Sequence, residues 1–242
     1  CWRCRKFNYM KSDFINIGLI SKGRMMESAQ KIFKKNKLKI YKRSGERDLF
    51  GYIKNEKFKN VRIWYLSPKE IIESVGTGVL DAGIGALDLL KNSEPNIQSR
   101  ISIEKKYDFG QCQLCVLLPK FWLDTVNPTD LEEVSWEFFY KKKRLMRIAT
   151  KFKLLTEQWC KSRGINMVEI IGSEGATEAA PRLGKADLVV DVATSFDTAK
   201  ANNLKLLEDD GVILNSSAIL CSNKNSIKKR EVKKFVKLLS KN

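Results

Sequence analysis

Asp187-Leu-Val-Val-Asp191-Val-Ala-Thr-Ser-Phe-Asp-Thr198 is the stretch on which the fold turns. Its first half is apolar enough for a strand covered on both faces, as strands in α/β sheets are. Its second half is a run of hydroxyl and acid side chains of the kind that opens a helix. A strand that passes through a polar turn into a helix is half of a β-α-β unit. Backbone N–H groups point outward at such a turn, and anions settle there. Asp187 or Asp191 is suited to orient ribose hydroxyls or to meet Mg²⁺ through water. By pattern alone, the stretch also fits an ordinary strand, turn and helix.

The same alternation extends in both directions. Upstream, 168–171 is a strand, and 145–149 is another that runs into Thr150-Lys151. The helix that follows, 154–162, is closed by Gly164. Cys112 to Leu118 is a strand that stops at Pro119. Near the start, Phe14-Ile-Asn-Ile-Gly-Leu-Ile20 ends at Ser21-Lys-Gly-Arg24. Met25, Met26, Ala29, Ile32 and Phe33 then recur at helical spacing. Val61 to Leu66 is a strand, and Ser67-Pro-Lys-Glu70 has the serine, proline and glutamate of a capped helix start. Gly76 or Gly78 stops that helix, and Val79 to Ile84 leads into Gly85-Ala-Leu-Asp88. Downstream, Val232, Phe235, Val236 and Leu239 lie at helical spacing among seven Lys or Arg between 228 and 241. They predict a terminal helix with one face on the body. Alternation of this density predicts an α/β protein with mostly parallel sheets and sites at the carboxyl ends of strands.

Composition narrows the chemistry. The chain has 242 residues, a net charge of +17 and no histidine. The usual general base and the usual zinc ligand are therefore both missing. Catalysis must rest on carboxylates, cations, thiols, an oxygen-bound metal or positioning. The basic charge suits anionic partners. The lysines are scattered and not interleaved with aromatics in an RNA-binding pattern, and no nucleic-acid partner is expected; the same field would serve small phosphorylated substrates, and compositional drift onto solvated surfaces fits it equally. Cys1/Cys4 and Cys112/Cys115 have C-x-x-C spacing, which raises a zinc site. On a strand, however, residues three apart face opposite sides, so Cys112 and Cys115 read as small apolar residues. No apolar run is long enough to span a bilayer, and Cys1-Trp-Arg-Cys-Arg-Lys6 lacks the apolar middle of a signal peptide. A cytoplasmic location with no membrane partner is expected.

These landmarks, taken in order, resemble the ATP phosphoribosyltransferases. Glu178, five residues, Gly184, the acid-bearing strand with Asp187 and Asp191, and Thr194 to Thr198 resemble the family signature. Ser21-Lys-Gly-Arg24, Arg47 with Gly51, Asp81-Ala-Gly-Ile84 with Asp88, Asp108-Phe-Gly110, Ala149-Thr-Lys151, Gly175-Ala-Thr-Glu178 and Lys200-Ala-Asn202 resemble further stretches of it. The resemblance is closest to the short form. It implies two periplasmic-binding-protein-like (type II) lobes. Residues 1–109 would form the first part of lobe I, 110–200 lobe II, and 201–242 the return to lobe I with a basic terminal helix. It implies condensation of ATP, through adenine N1, with phosphoribosyl pyrophosphate (PRPP), in the presence of Mg²⁺ carried by substrate phosphates. A regulatory subunit resembling histidyl-tRNA synthetase and a homodimer core are implied partners.

The site residues carry over position by position. Arg24 and Arg47 are the implied catalytic cations. Asp187, Asp191, Ala193, Thr194, Ser195, Phe196, Asp197 and Thr198 are the implied PRPP contacts. Lys22, Gly23, Asp81, Gly85, Asp88, Lys151 and Glu178 are the implied ATP contacts. Phe196 stands where the family has glycine, and Ala86 where glycine is usual. Glycine lets backbone approach phosphate closely, so Phe196→Gly is expected to lower KM for PRPP. The competing readings are a weakly active or inactive homologue, and a two-lobed binding protein for small anions or other solutes.

Overall fold

The computed structural model describes residues 14–42, 50–53, 55, 57, 58 and 60–241. Arg47, Cys1 and Cys4 lie outside the described residues. The chain divides into two compact units, one running to Gly110 and resuming at Ser217, the other spanning Gln111–Ser216.

The first unit is built on a seven-stranded sheet of order β2-β3-β4-β1-β5-β13-β6. Its strands are β1 (Ile15–Ile20), β2 (Ile40–Tyr41), β3 (Phe50–Ile53), β4 (Val61–Leu66), β5 (Ala82–Ala86), β6 (Ile101–Lys106) and β13 (Ala218–Asn223). Its helices are α1 (Gly23–Lys35), α2 (Pro68–Thr77), α3 (Leu87–Lys91), α4 (Pro95–Arg100) and α8 (Arg230–Ser240). Every residue of β1 is buried, because helices cover both faces there. Gly18, Gly83 and Gly85 let α2 lie close: a Cβ on any of them would come within 3.0 Å of Ile71, Ile72 or Leu80 side-chain carbons. The capped start read at Ser67 forms as expected. Glu70 N–H donates to Ser67 Oγ at 3.3 Å, and Ser67 N–H donates back to Glu70 Oε2 at 2.9 Å. Val232, Phe235, Val236 and Leu239 of α8 are at most 2% exposed and join the same core as β1.

The second unit carries a six-stranded sheet. Five strands run β11-β7-β10-β8-β9, and the sixth, β12, also pairs with β7. These are β7 (Cys112–Pro119), β8 (Met146–Thr150), β9 (Val168–Gly172), β10 (Leu188–Ala193), β11 (Leu204–Leu206) and β12 (Val212–Ser216). Its helices are α5 (Pro128–Lys142), α6 (Lys153–Ser162) and the one-turn α7 (Asp197–Ala201). Leu188, Val189 and Val190 are 0% exposed, as are Leu114, Cys115 and Val116 of β7. Each such side chain contributes about 1.5–3 kcal/mol when fully buried.

Two expectations need correction. Parallel pairing is confined to β4-β1-β5, at the centre of the first sheet, and to β10-β8-β9, which runs to one edge of the second. The remaining pairs are antiparallel, because β3 and β13 in one sheet and β7 in the other run against their neighbours. The sheets are therefore mixed, not mostly parallel. The return to the first unit also comes later than Asn202. β11 and β12 both pair with β7, which holds 201–216 in the second unit.

Candidate functional site

In the second unit, β8, β9 and β10 run parallel, so their carboxyl ends share one edge. Thr150, the last residue of β8, lies level with Val190 of β10 and Gly172 of β9. Residues 191–193 therefore run past the end of β8, and Asp191 emerges beside the chain leaving Thr150. Lys151 is that next residue, and its charge acts on Asp191. Glu178 reaches the same carboxyl from the one-turn 3-10 helix Thr177–Ala179. The edge thus gathers Lys151, Glu178 and Asp191. Burial pushes the Asp191 carboxyl above its ordinary value. Val192 N–H and Lys151 pull it down, while Glu178 adds to the rise.

β10 then opens into 194–198. Thr194, Ser195, Asp197 and Thr198 are exposed. Among the described residues, the N–H groups of 194–198 make no main-chain hydrogen bond. Free amides and hydroxyls on one short loop are what phosphate oxygens require. Phe196 takes φ −88° and ψ 9°, a conformation open to any residue. Its ring packs on a small core of Cys115, Leu117, Ala149, Ala180, Ala186, Val189, Ala199 and Leu204. The turn needs no glycine, and the ring anchors it from below. Phe196→Gly is therefore expected to destabilise the protein by about 1–2 kcal/mol, read as a lower urea midpoint at unchanged slope. KM for PRPP should rise, not fall as the family comparison alone implies.

In the first unit, α1 starts directly after β1. Lys22 caps it without a side-chain hydrogen bond, and no acid lies in its first turn. Gly23 has φ +76°, with nothing within 4 Å of where a Cβ would stand. A side chain there would be strained, and the approach to the helix start is open. Lys22 and Arg24 are both exposed beside it. β5 is parallel to β1, with Ile17 opposite Ala82, so Gly85 and the first turn of α3 reach the same edge. Asp88 is buried there, at 6% exposure.

Several sequence-derived positions separate from these clusters. Asp187 lies at the amino end of β10, about 20 Å of extended chain from Ala193. Arg144 grips it with two bonds, Nη1 to Oδ2 at 2.7 Å and Nη2 to Oδ1 at 2.8 Å. Arg147 N–H donates to the same Oδ2 at 2.8 Å. Asp187 is thus tied into the fold, at the other end of β10 from the 194–198 loop. Asp81 likewise precedes β5, at the end away from Lys22. It accepts from Asn16 N–H at 2.9 Å and lies 3.6 Å from Lys229 Nζ. Gly85 is accounted for by the closeness of Ile72. Cys115 is buried, and its thiol is pushed up to about 11 by that burial, with Cys112 adding to the rise. Sequence reading passed over Arg144, whose only signal is an arginine before a strand. Thr177 stands within the stretch Gly175-Ala-Thr-Glu178, but only Glu178 of it is an implied contact.

The sequence model of HisG: ATP phosphoribosyltransferase matches residues 67–241. Over 207 residues, the chain is 38% identical to an ATP phosphoribosyltransferase of Sinorhizobium fredii, covering 85% of this chain and 88% of that one. Its fold resembles an ATP phosphoribosyl transferase (HisG:HisZ) complex from Thermotoga maritima, with TM-score 0.71, 21% identity and coverage of 93% and 96%. It also resembles, in fold alone, an amino-acid ABC transporter extracellular-binding protein from Bacillus subtilis, with TM-score 0.50, 14% identity and coverage of 94% and 92%. A family model across well over half of the sequence and a relative of this identity agree, and the chain belongs to the ATP phosphoribosyltransferase family.

Proposed function

We propose that the carboxyl end of β10 holds PRPP in the second unit and that the start of α1 is an anion-binding end of the first, in an ATP phosphoribosyltransferase of histidine biosynthesis. The single observation that carries this is the grouping of Lys151, Asp191 and Glu178 beside the open amides of 194–198. Adenine N1 bears a free lone pair and attacks C1 of PRPP without a base, which suits a chain with no histidine. The C1–N1 bond forms, the C1–O bond breaks, and the electron pair leaves with pyrophosphate. The protein's task is to align the two reactants and neutralise the leaving group. Asp191 accepts from ribose hydroxyls, the 194–198 loop cradles the 5′-phosphate, and Lys151 faces phosphate charge.

Mg²⁺ would be carried on substrate phosphate oxygens. When bound, it supplies further neutralisation of pyrophosphate. The fold likeness to a HisG:HisZ complex supports a HisZ-like partner; a resemblance of that subunit to histidyl-tRNA synthetase and a homodimer core are further parts of the proposal. Among the described residues, no helix is long and apolar enough to cross a membrane, and we place the enzyme in the cytoplasm. The test is an initial-rate assay of phosphoribosyl-ATP and pyrophosphate, with and without that subunit. Equal amounts of both products, formed only when ATP and PRPP are present together, are expected. Tight PRPP binding without turnover under either condition would leave a binding protein instead.

A further inference from the structure

The edge that carries Asp191 also contains a fully buried hydroxyl. Thr177 is 0% exposed, and among the described residues its Oγ1 has no hydrogen-bond partner. Other buried threonines in this unit are satisfied. Thr156 Oγ1 donates to Phe152 O at 2.8 Å, and Thr150 Oγ1 accepts from Phe152 N–H at 2.9 Å. A polar group shut away from water without a partner is disfavoured, and native proteins keep few of them.

The 3-10 helix that begins at Thr177 packs on β10, which brings the Thr177 hydroxyl near enough to the Asp191 carboxyl to favour its charged form. Asp191 is itself only half tied: Oδ1 accepts from Val192 N–H at 2.8 Å. The charged groups facing it are Lys151, from the chain after β8, and Glu178, next to Thr177. Opposite it on β7 stands Cys115, buried and neutral. A donor without an acceptor thus sits beside an acceptor with room for a donor, where β10 meets the proposed substrate.

We infer that Thr177 is a positioning residue for Asp191. Its O–H takes one carboxylate oxygen from behind while Val192 N–H holds the other. The outer lone pairs are then left aimed at the ribose hydroxyls of PRPP. The inference rests on the reading of this edge as the PRPP site. It gives the hydroxyl a purpose that packing does not, since valine would fill the same space without a polar atom.

The test is titration of the full chain with PRPP, and separately with ATP, for T177V, T177S and D191N, alongside thermal melts. T177V is expected to stay folded, because valine fills the same space, and its melt shows that any change in binding is not a loss of fold. Its Kd for PRPP should nevertheless rise about tenfold, the loss of one hydrogen bond to a charged group. T177S should bind within about twofold of the wild type, and ATP binding should not move. Should T177V fold poorly, T177A carries the same comparison. Unchanged PRPP affinity in T177V, with D191N at least tenfold weaker, overturns the role of Thr177 and keeps the site. Unchanged affinity in D191N as well overturns both.

Discussion

Replacing Arg24 by alanine is expected to lower kcat/KM for PRPP by about 10²- to 10³-fold, the effect of removing one charged donor from a developing anion. Three features of α1 lead to that magnitude. The helix runs for 13 residues, so its first turn presents free N–H groups and a positive end. No capping side chain occupies those groups, and no acid lies in the first turn to offset the charge. Arg24 is exposed and enters no hydrogen bond or ion pair among the described residues, so its loss leaves the fold intact. Arg24→Lys should recover part of the activity, since lysine restores the charge but not the two-pronged fork. If the guanidinium meets pyrophosphate mainly as C1–O breaks, kcat falls with kcat/KM and KM changes little. Activity of Arg24→Ala within twofold of the wild type would remove α1 from the site. Arg47→Ala is the companion measurement for the second implied cation.

The sequence declared the strand-to-helix turns because each combines an apolar run with a polar break. The turns after β1, β5, β8 and β10 lie where the pattern put them, and Ser67 and Glu70 form their reciprocal cap. α5 was not legible. Leu131, Ser135 and Phe138 face inward while Phe139 and Tyr140 face water, so no single apolar stripe marks it. β11 and β12 were hidden for another reason: they are short, and only pairing with β7 makes them strands. The acids show the sharper limit. Asp187 and Asp191 are equivalent in a motif, four residues apart on one strand. Only tertiary structure brings Arg144 to one and Lys151 to the other. Side-chain partners from distant segments leave no local pattern, which is why Asp81 and Asp187 were read as ligands.

Removing the Asp187 carboxylate tests that distinction with the largest expected effect on stability. Its side chain is only 11% exposed, and it holds Arg144 by two bonds and Arg147 N–H by a third. Asp187→Ala would leave Arg144 without its counter-charge. It would also strand Arg147 Nε, which is buried, makes no hydrogen bond and is ion-paired with the same carboxylate at 3.7 Å. Breaking a buried pair from one side costs about 3–5 kcal/mol. Arg144 is 36% exposed, and solvent screening reduces the expectation to about 2–3 kcal/mol. Burial alone would push the Asp187 carboxyl up, but the Arg144 fork, Arg147 N–H and both arginine charges hold it below its ordinary value. A depressed folded value fixes the sign of the pH dependence. The advantage over Asp187→Asn is complete above the ordinary aspartate value of about 3.9. It is lost as pH falls through the lower folded value. Urea midpoints of the two proteins should therefore differ at neutral pH and converge on acidification. The folded fraction of Asp187→Asn should bind PRPP as the wild type does, because this carboxylate sits at the far end of β10 from the loop. If Asp187→Asn kept full stability and lost PRPP binding, Asp187 would be a ligand and the tie to Arg144 incidental. Normal binding with reduced stability separates the two acids of the motif by function, Asp187 holding the strand and Asp191 the sugar.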